Sequence, residues 1–388
     1  MTNQSISLQE WGPILRTIMT GIYDEESPMK YLLGLENQLV PYIYSYIMPY
    51  YGDFTTNIPI HMPASVAASP GATIRVMDNE QLLLEGGSNA MACYSSDRGM
   101  SWTFINPPRS KTARVSLVGC AISPTNVNEF YVAVIDFGGP VLYKTQDRGD
   151  TWVDIPLPGD PRSNNVIILE SFAIDSRRSH SNSGRLWLGT QSSGAWYSDN
   201  QGKTWKHALS VKQGVIFGFD LTSKQYPNDE EVWIRTCFPS SMYHSIDGGK
   251  SWSTHPVPLG SVGDFALDLH HPTRQYISCK DMQTGTATLY HRDNDSPRCS
   301  WEELSLIQGM AILIHPDIPN RIYIGLHRAV QRSDDGGETW TIHDMVEPDD
   351  HSPVVMSLAY QSGRIFARTA YGIYQSLDDG LSWQRAVH

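Results

Sequence analysis

Residues 376–383 read Ser376-Leu377-Asp378-Asp379-Gly380-Leu381-Ser382-Trp383, and the pattern inside them, Ser/Thr-x-Asp-x-Gly-x-Ser/Thr-Trp, recurs along the chain. It appears at Ser95, Asp97, Gly99, Ser101 and Trp102, and again at Thr145, Asp147, Gly149, Thr151 and Trp152. It returns at Ser198, Asn200, Gly202, Thr204 and Trp205, with Asn in place of Asp, and at Ser245, Asp247, Gly249, Ser251 and Trp252. A further copy holds Ser333, Asp335, Gly337, Thr339 and Trp340. Trp301 keeps the interval, but the turn from Asp293 to Trp301 carries an insertion and Pro297 and has lost the pattern. The seven tryptophans lie 50, 53, 47, 49, 39 and 43 residues apart. A period of this length marks a repeat architecture, which must be recognised before any other reading.

The chemistry of the turn explains its spacing. An Asp side chain accepts hydrogen bonds from backbone N–H groups of its own turn. The Gly supplies the positive φ that closes a tight hairpin. The Trp begins the next strand, where its ring is free to bury against a neighbouring unit. Asp97, Asp147, Asn200, Asp247, Asp335 and Asp378 therefore read as structural turn residues, and not as a row of catalytic or metal-binding acids.

Between the turns each unit holds four short strand-like runs. In the second these are 118–123, 130–135, 141–144 and 152–155; in the last they are 354–359, 365–368, 372–375 and 383–387. Four antiparallel strands in 40–50 residues describe a propeller blade. The expectation is an all-β fold: a seven-bladed β-propeller over residues 71–388, each blade built from contiguous chain. Residues 1–70 fit no blade. Apolar residues at helical spacing after Pro13, Leu32, Leu35 and Leu39, and the aromatic run 41–51 predict a partly helical, partly extended N-terminal arm for docking or assembly.

The motif resembles the Asp-box, or BNR, repeat of the sialidase-like propellers, in six copies that cover the chain from about residue 72 to its end. The resemblance implies that each box lies in the turn between the third and fourth strands of a blade. The loops joining strands two and three, and strand four to the next blade, then lie on the opposite face, around the channel mouth. Sialidases work on that face with an arginine trio, a Tyr/Glu nucleophile pair and an acid-base Asp. Their Arg-Ile-Pro motif is absent here, Ile74-Arg75-Val76 coming nearest, and their ring usually has six blades. Other members resembling this chain, the photosystem-assembly factors and the larger sortilin-type receptors, are binders. Xyloglucan-hydrolysing enzymes use seven-bladed box propellers, usually two with the cleft between them.

Aligning the second strands puts Ala133, Gly189, Arg235, Ser278, Gly325 and Arg368 in one column, with Asp136, Lys280, Asp281, His327, Arg328 and Tyr371 just beyond and Glu85 as the first blade's member. The candidate ligand face is therefore Glu85, Asp136, Arg235, Lys280, Asp281, His327 and Arg368. Arg235 and Arg368 have the chemistry to grip an anion bidentately. Two of Asp136, Glu85 and Asp281 have that of a glycosidase carboxylate pair. The opposing reading is a solvated rim whose charges pair locally. The histidines share no ligand spacing, His270-His271 before Pro272 resembling the turn at His315-Pro316, so neither metal nor cofactor is expected.

The chain has 388 residues, 40% hydrophobic and 18% charged, with net charge −12. The acidic balance argues against nucleic-acid or anionic-membrane partners, and no run of 18 apolar residues spans a bilayer. Five cysteines without ligand spacing read as reduced and mostly buried. Residues 1–9 show no leader pattern, so the expected location is cytoplasmic or within a particle, a virion included. Because the sialidase set is missing and the arm is apolar, the expected function is a non-catalytic scaffold or recognition module. It would be a subunit of a larger assembly, such as a phage virion or tail, docked to a protein partner or its own copies through residues 1–70. The alternative is a glycan-binding protein or glycoside hydrolase, sialidase- or xyloglucanase-like, working on the channel-mouth face.

Overall fold

The structure is a computed structural model that describes residues between Ile74 and Val387. It leaves out residues 77–82, 87–91, 98–100, 109–115, 160–168, 176–183, 221–229, 294–299 and 346–353, together with gaps of one to three residues. The arm predicted over residues 1–70, its helices included, lies outside the described residues, as does Trp102.

The described residues form an all-β propeller of four-stranded antiparallel blades, with no α-helix among them. Its 28 strands pair into seven such sheets, and in each sheet the strands are neighbours in chain order. Each sheet lies beside the next through its first two strands, and the inner strand of the last sheet, β25 (Val355–Gln361), lies beside β1 (Ile74–Val76).

The apolar core is a series of seams between consecutive sheets. Tyr94 and Ile105 of the first sheet meet Leu117, Phe130 and Tyr143 of the second. Tyr131 and Ile155 of the second meet Phe172 and Leu188 of the third. Trp233 and Met242 of the fourth meet Val262 and Phe265 of the fifth. Each sheet presents alternate residues to its two neighbours, so both its faces are buried and only the outer strands alternate toward water.

Each box closes the turn between the third and fourth strands. In the second box Thr145 Oγ1 donates to Asp147 Oδ1 at 2.6 Å, Thr151 N to the same oxygen at 2.8 Å, and Thr151 Oγ1 to Asp147 Oδ2 at 2.5 Å. Gly149 sits at φ 105°, and its N donates to Thr145 Oγ1 at 2.9 Å. The fourth strands begin one residue after the box Trp, at Val153, Lys206, Ser253, Thr341 and Gln384. The indole Nε1 of Trp205 donates to Pro156 O at 2.7 Å and that of Trp252 to Ala208 O at 3.0 Å, both on the outer strand side of the preceding sheet. Trp340 reaches Ser305 Oγ at 3.2 Å, whereas Trp152 and Trp383 bond the glycine carbonyl of their own turn at 3.0 and 3.2 Å. The box Trp therefore works as a peg that closes its own turn or ties one sheet to its neighbour.

The fifth sheet shows how a blade survives without its box. The residue facing the start of the second strand is Arg292, paired with Gln275, where the other six sheets hold the box Ser or Thr. Arg292 is 3% exposed and donates Nε–H to Gln275 Oε1 at 2.7 Å. Trp301 still docks on the preceding sheet, its Nε1 donating to Pro256 O at 2.9 Å.

Asp268, not His271, occupies the place of His315. Both directly follow an inner strand, their N–H groups donating to Arg274 O and Arg321 O. Asp268 Oδ1 accepts His270 N, and His315 Nδ1 accepts Asp317 N, each closing its turn at 2.9 and 3.1 Å.

Candidate functional site

The candidate face is built from the ends of second strands. Asp136 is the last residue of β6 (Phe130–Asp136) and pairs with Gly139, whose φ of 102° turns the chain back. Lys280 ends β18 (Arg274–Lys280), and Asp281 opens the turn that follows. His327 lies in the matching turn of the sixth sheet, closed by Leu326 N donating to Ala329 O at 2.9 Å, with Arg328 at φ 65°. Glu85 stands one residue before the end of β2 (Leu83–Gly86). The topology thus gathers Glu85, Asp136, Lys280, Asp281 and His327 to one edge of four sheets. His327 and Asp281 are exposed. Asp281 Oδ1 accepts Thr284 N at 3.3 Å, and Asp281 N donates to Thr286 O at 2.8 Å, so this carboxylate also shapes its turn. Lys280 is half-buried, and burial lowers its pKa. A partly desolvated ammonium gains from any acceptor that a ligand brings.

Arg235 and Arg368 sit deeper than the sequence suggests. In the column they share, the side chains point into the seam toward the next sheet. A Cβ on Gly189 would lie 2.1 Å from Ser171 Oγ and 2.6 Å from Ile216 of the fourth sheet. One on Gly325 would lie 2.4 Å from Val355 of the seventh. Arg235, in the same rank, donates to Gly263 O and lies 3.3 Å from Asp264 Oδ1, both in β17 (Ser261–Leu267) of the fifth sheet. Arg368 is 3% exposed, with Nη1 3.6 Å from Met356 Sδ.

The registers of these inner strands slip beside the column, between Leu117 and Gly119, Ile216 and Gly218, Val262 and Phe265, and Val355 and Ser357. Bulges of this kind re-aim side chains and collect near functional sites. The one in β17 aims Asp264, which the sequence reading passed over. Asp264 Oδ2 accepts Ile312 N of the sixth sheet at 3.0 Å, and its N donates to Ser278 Oγ at 2.8 Å. One carboxylate thus joins three consecutive sheets while its side chain stays 29% exposed. The signal in the sequence is the pair Gly263-Asp264, which interrupts the apolar alternation of Val262, Phe265 and Leu267.

Among the described residues no group of three or more His, Cys, Asp or Glu side chains is placed to hold a metal ion, and no helix is long and apolar enough to cross a membrane.

The BNR/Asp-box repeat family matches residues 196–207, the third box with the strand that leads into it. The chain thus carries the Asp-box repeat on a β-propeller fold. Two curated relatives are xyloglucan-degrading enzymes. The chain is 24% identical over 143 residues to the probable oligoxyloglucan-reducing end-specific xyloglucanase of Neosartorya fischeri, covering 35% of this chain and 17% of that one. It is 24% identical over 243 residues to the xyloglucanase of Hypocrea jecorina, covering 54% of this chain and 28% of that one. The chain therefore spans less than a third of the length of either. Among solved structures, the GH74 enzyme of Niastella koreensis superposes with a TM-score of 0.62 at 17% identity, over 82% of this chain and 54% of that one. A YCF48 structure bound to D1 peptide superposes with a TM-score of 0.55 at 17% identity, over 78% of this chain and 91% of that one. Likeness at that identity speaks for the fold alone.

These relatives overturn the expectation of a non-catalytic scaffold in a virion or other assembly. The curated relatives named above are xyloglucanases. The expectation leaned on the missing sialidase residues, but those residues serve an anionic sugar and have no bearing on a neutral glucan.

Proposed function

We propose that the chain is a glycoside hydrolase acting on a β-linked polysaccharide of the xyloglucan type, with the second-strand edge as its substrate-binding face. The similarity to xyloglucanases, over 243 residues in one case, carries the reading. Glycosidases place two carboxyl groups across the scissile bond. One protonates the leaving oxygen, and the other attacks the sugar or activates water. Asp136 and Asp281 are assigned those positions, and Glu85 is the third carboxylate on that edge. Lys280 offers its ammonium to sugar hydroxyls. Arg235 acts on the wall through Asp264 as a positioning residue, and buried Arg368 does the same in the last sheet. The seven sheets are read as seven blades of one ring over residues 71–388.

The test is release of reducing ends from xyloglucan by the purified full chain. Hydrolysis is expected, with Asp136→Asn and Asp281→Asn each slowing it by about 10²–10⁴, the usual worth of a general acid or base. A chain inert toward xyloglucan and other β-glucans overturns the proposal. So does hydrolysis indifferent to Asp136→Asn, Asp281→Asn and Glu85→Gln alike.

A further inference from the structure

The third box differs from the others in one atom, and the difference reverses a hydrogen bond. In five boxes the last Ser or Thr hydroxyl donates to the Asp carboxylate: Ser101 to Asp97, Thr151 to Asp147, Ser251 to Asp247, Thr339 to Asp335 and Ser382 to Asp378, at 2.5–2.6 Å. In the third box Asn200 Oδ1 accepts Ser198 Oγ–H at 2.9 Å and Thr204 N–H at 2.9 Å. Those two donors fix the amide orientation, because an NH₂ group cannot accept either. Asn200 Nδ2 is left facing Thr204 Oγ1 and donates to it at 2.8 Å. Thr204 Oγ1 now receives a bond where its counterparts give one. Its own proton is released from the turn, and the exposed side chain can turn that proton outward.

This happens where the surface is concave. Thr204 lines a cleft of about 250 Å³ together with Trp196, Trp205, Lys203 and the turn Pro156-Leu157-Pro158-Gly159. Both indoles are held in place. Trp205 Nε1 is tied to Pro156 O at 2.7 Å. The Trp196 ring meets that of His207 at 4.7 Å, and His207 Nε2 is 3.0 Å from Ser193 O. The Asn also deletes the carboxylate that the other boxes carry, and among the described residues Lys203 is the one charged side chain lining the cleft.

We propose that this cleft is a second binding site, separate from the second-strand edge, and that its ligand is a neutral sugar residue of a polysaccharide. A pyranose ring has an apolar C–H face that stacks on an indole and a rim of hydroxyl oxygens that accept hydrogen bonds. Fixed indoles and one released hydroxyl donor answer both, and their rigidity lowers the entropy lost on binding. The choice of xyloglucan as the sugar source rests on the hydrolase reading above; the cleft and its released donor do not.

The experiment is affinity electrophoresis of the full chain in gels containing xyloglucan, with hydrolysis of the same polymer measured in parallel. Asn200→Asp restores the common box, recaptures the Thr204 proton and is expected to fold, as a melting curve will show. It should weaken retention about tenfold, the order expected for one hydrogen bond lost from a bound ligand. Thr204→Val should do the same, Thr204→Ser should not, and Asp247→Asn in the fourth box should leave retention unchanged. Retention of Asn200→Asp and Thr204→Val equal to wild type overturns the proposal, as does a wild-type chain that xyloglucan does not retain. Loss of binding to a proline-rich peptide in Asn200→Asp, with xyloglucan retention intact, overturns it in favour of a peptide site. A chain retained through Asn200 and Thr204 that releases no reducing ends supports this site and removes the hydrolase reading alone.

Discussion

The guanidinium carbon of Arg292 stands 4.5 Å from the ring centre of Trp301 and 5.6 Å from that of Trp233, bridging the fifth sheet to the fourth. A buried cation between two indole faces is a strong cation–π arrangement. It occupies the place that the box Ser or Thr holds in the other sheets and adds a contact with the fourth sheet. Arg292→Ala should cost about 2–4 kcal/mol, from the lost ring contacts, the bond to Gln275 and the cavity left behind. A double-mutant cycle with Trp301→Ala, read by chemical denaturation, should give a coupling of about 0.5–2 kcal/mol. Additive effects would show that the two residues stabilise the sheet separately.

The box acids make stability depend on acid. The hydroxyl of Thr145, then that of Thr151 and its backbone N–H, hold the Asp147 pKa down at about 2 from its ordinary 3.8. The folded state therefore binds this proton more weakly than the unfolded chain. The stabilisation is complete above about pH 4 and is lost as the pH falls toward 2. Asp147→Asn should lower the melting temperature at pH 5, and the gap to wild type should close near pH 2.

His255 acts in a different window. Burial first, then the charges of Arg292 and His244, lower its pKa from 6.5 to about 4. Between those values the unfolded chain holds a proton that the folded chain refuses, so stability declines as pH falls from 6.5 to 4. NMR titration should find His255 neutral at pH 5.5 in the wild type. In Arg292→Ala its midpoint should move upward, because one of the two repelling charges is gone. An unshifted midpoint would assign the depression to burial alone.

Gly189 tests the packing of the seam. Ser171 Oγ donates to Ile216 O at 2.9 Å across the space that a Cβ would need. Gly189→Ala should cost about 1–3 kcal/mol, as overpacking of a filled interior does. Gly363, whose Cβ direction is open, supplies a comparison in which only its φ of 81° is strained. A destabilisation of Gly189→Ala below that of Gly363→Ala would show that the seam yields more readily than its distances imply.

The boxes were legible because each is closed within a few residues. Ser, Asp, Gly and Trp at fixed offsets state their own hydrogen bonds, and Thr145 to Asp147 to Thr151 forms as the pattern requires. The edge residues Asp136, Asp281 and His327 were also within reach, since strand periodicity places them at equivalent turns. Asp264 was not, because a bulge shifts the inner strand by a residue and moves that side chain out of the simple alternation.

Sequence alone determined the all-β repeat, the four strands of each unit, the position of every intact turn and the Asn in the third box. These follow from bonds between neighbours in the chain and from strand period. The tertiary structure decided what the side chains between sheets do. It placed Arg235 against Asp264, seated Arg292 between Trp233 and Trp301, and opened a cleft where Trp196 and Trp205 meet Pro156. Those partners lie on different sheets, tens of residues apart in the chain. Which of them meet depends on sheet twist, bulges and the volume available in each seam, quantities that no local pattern encodes.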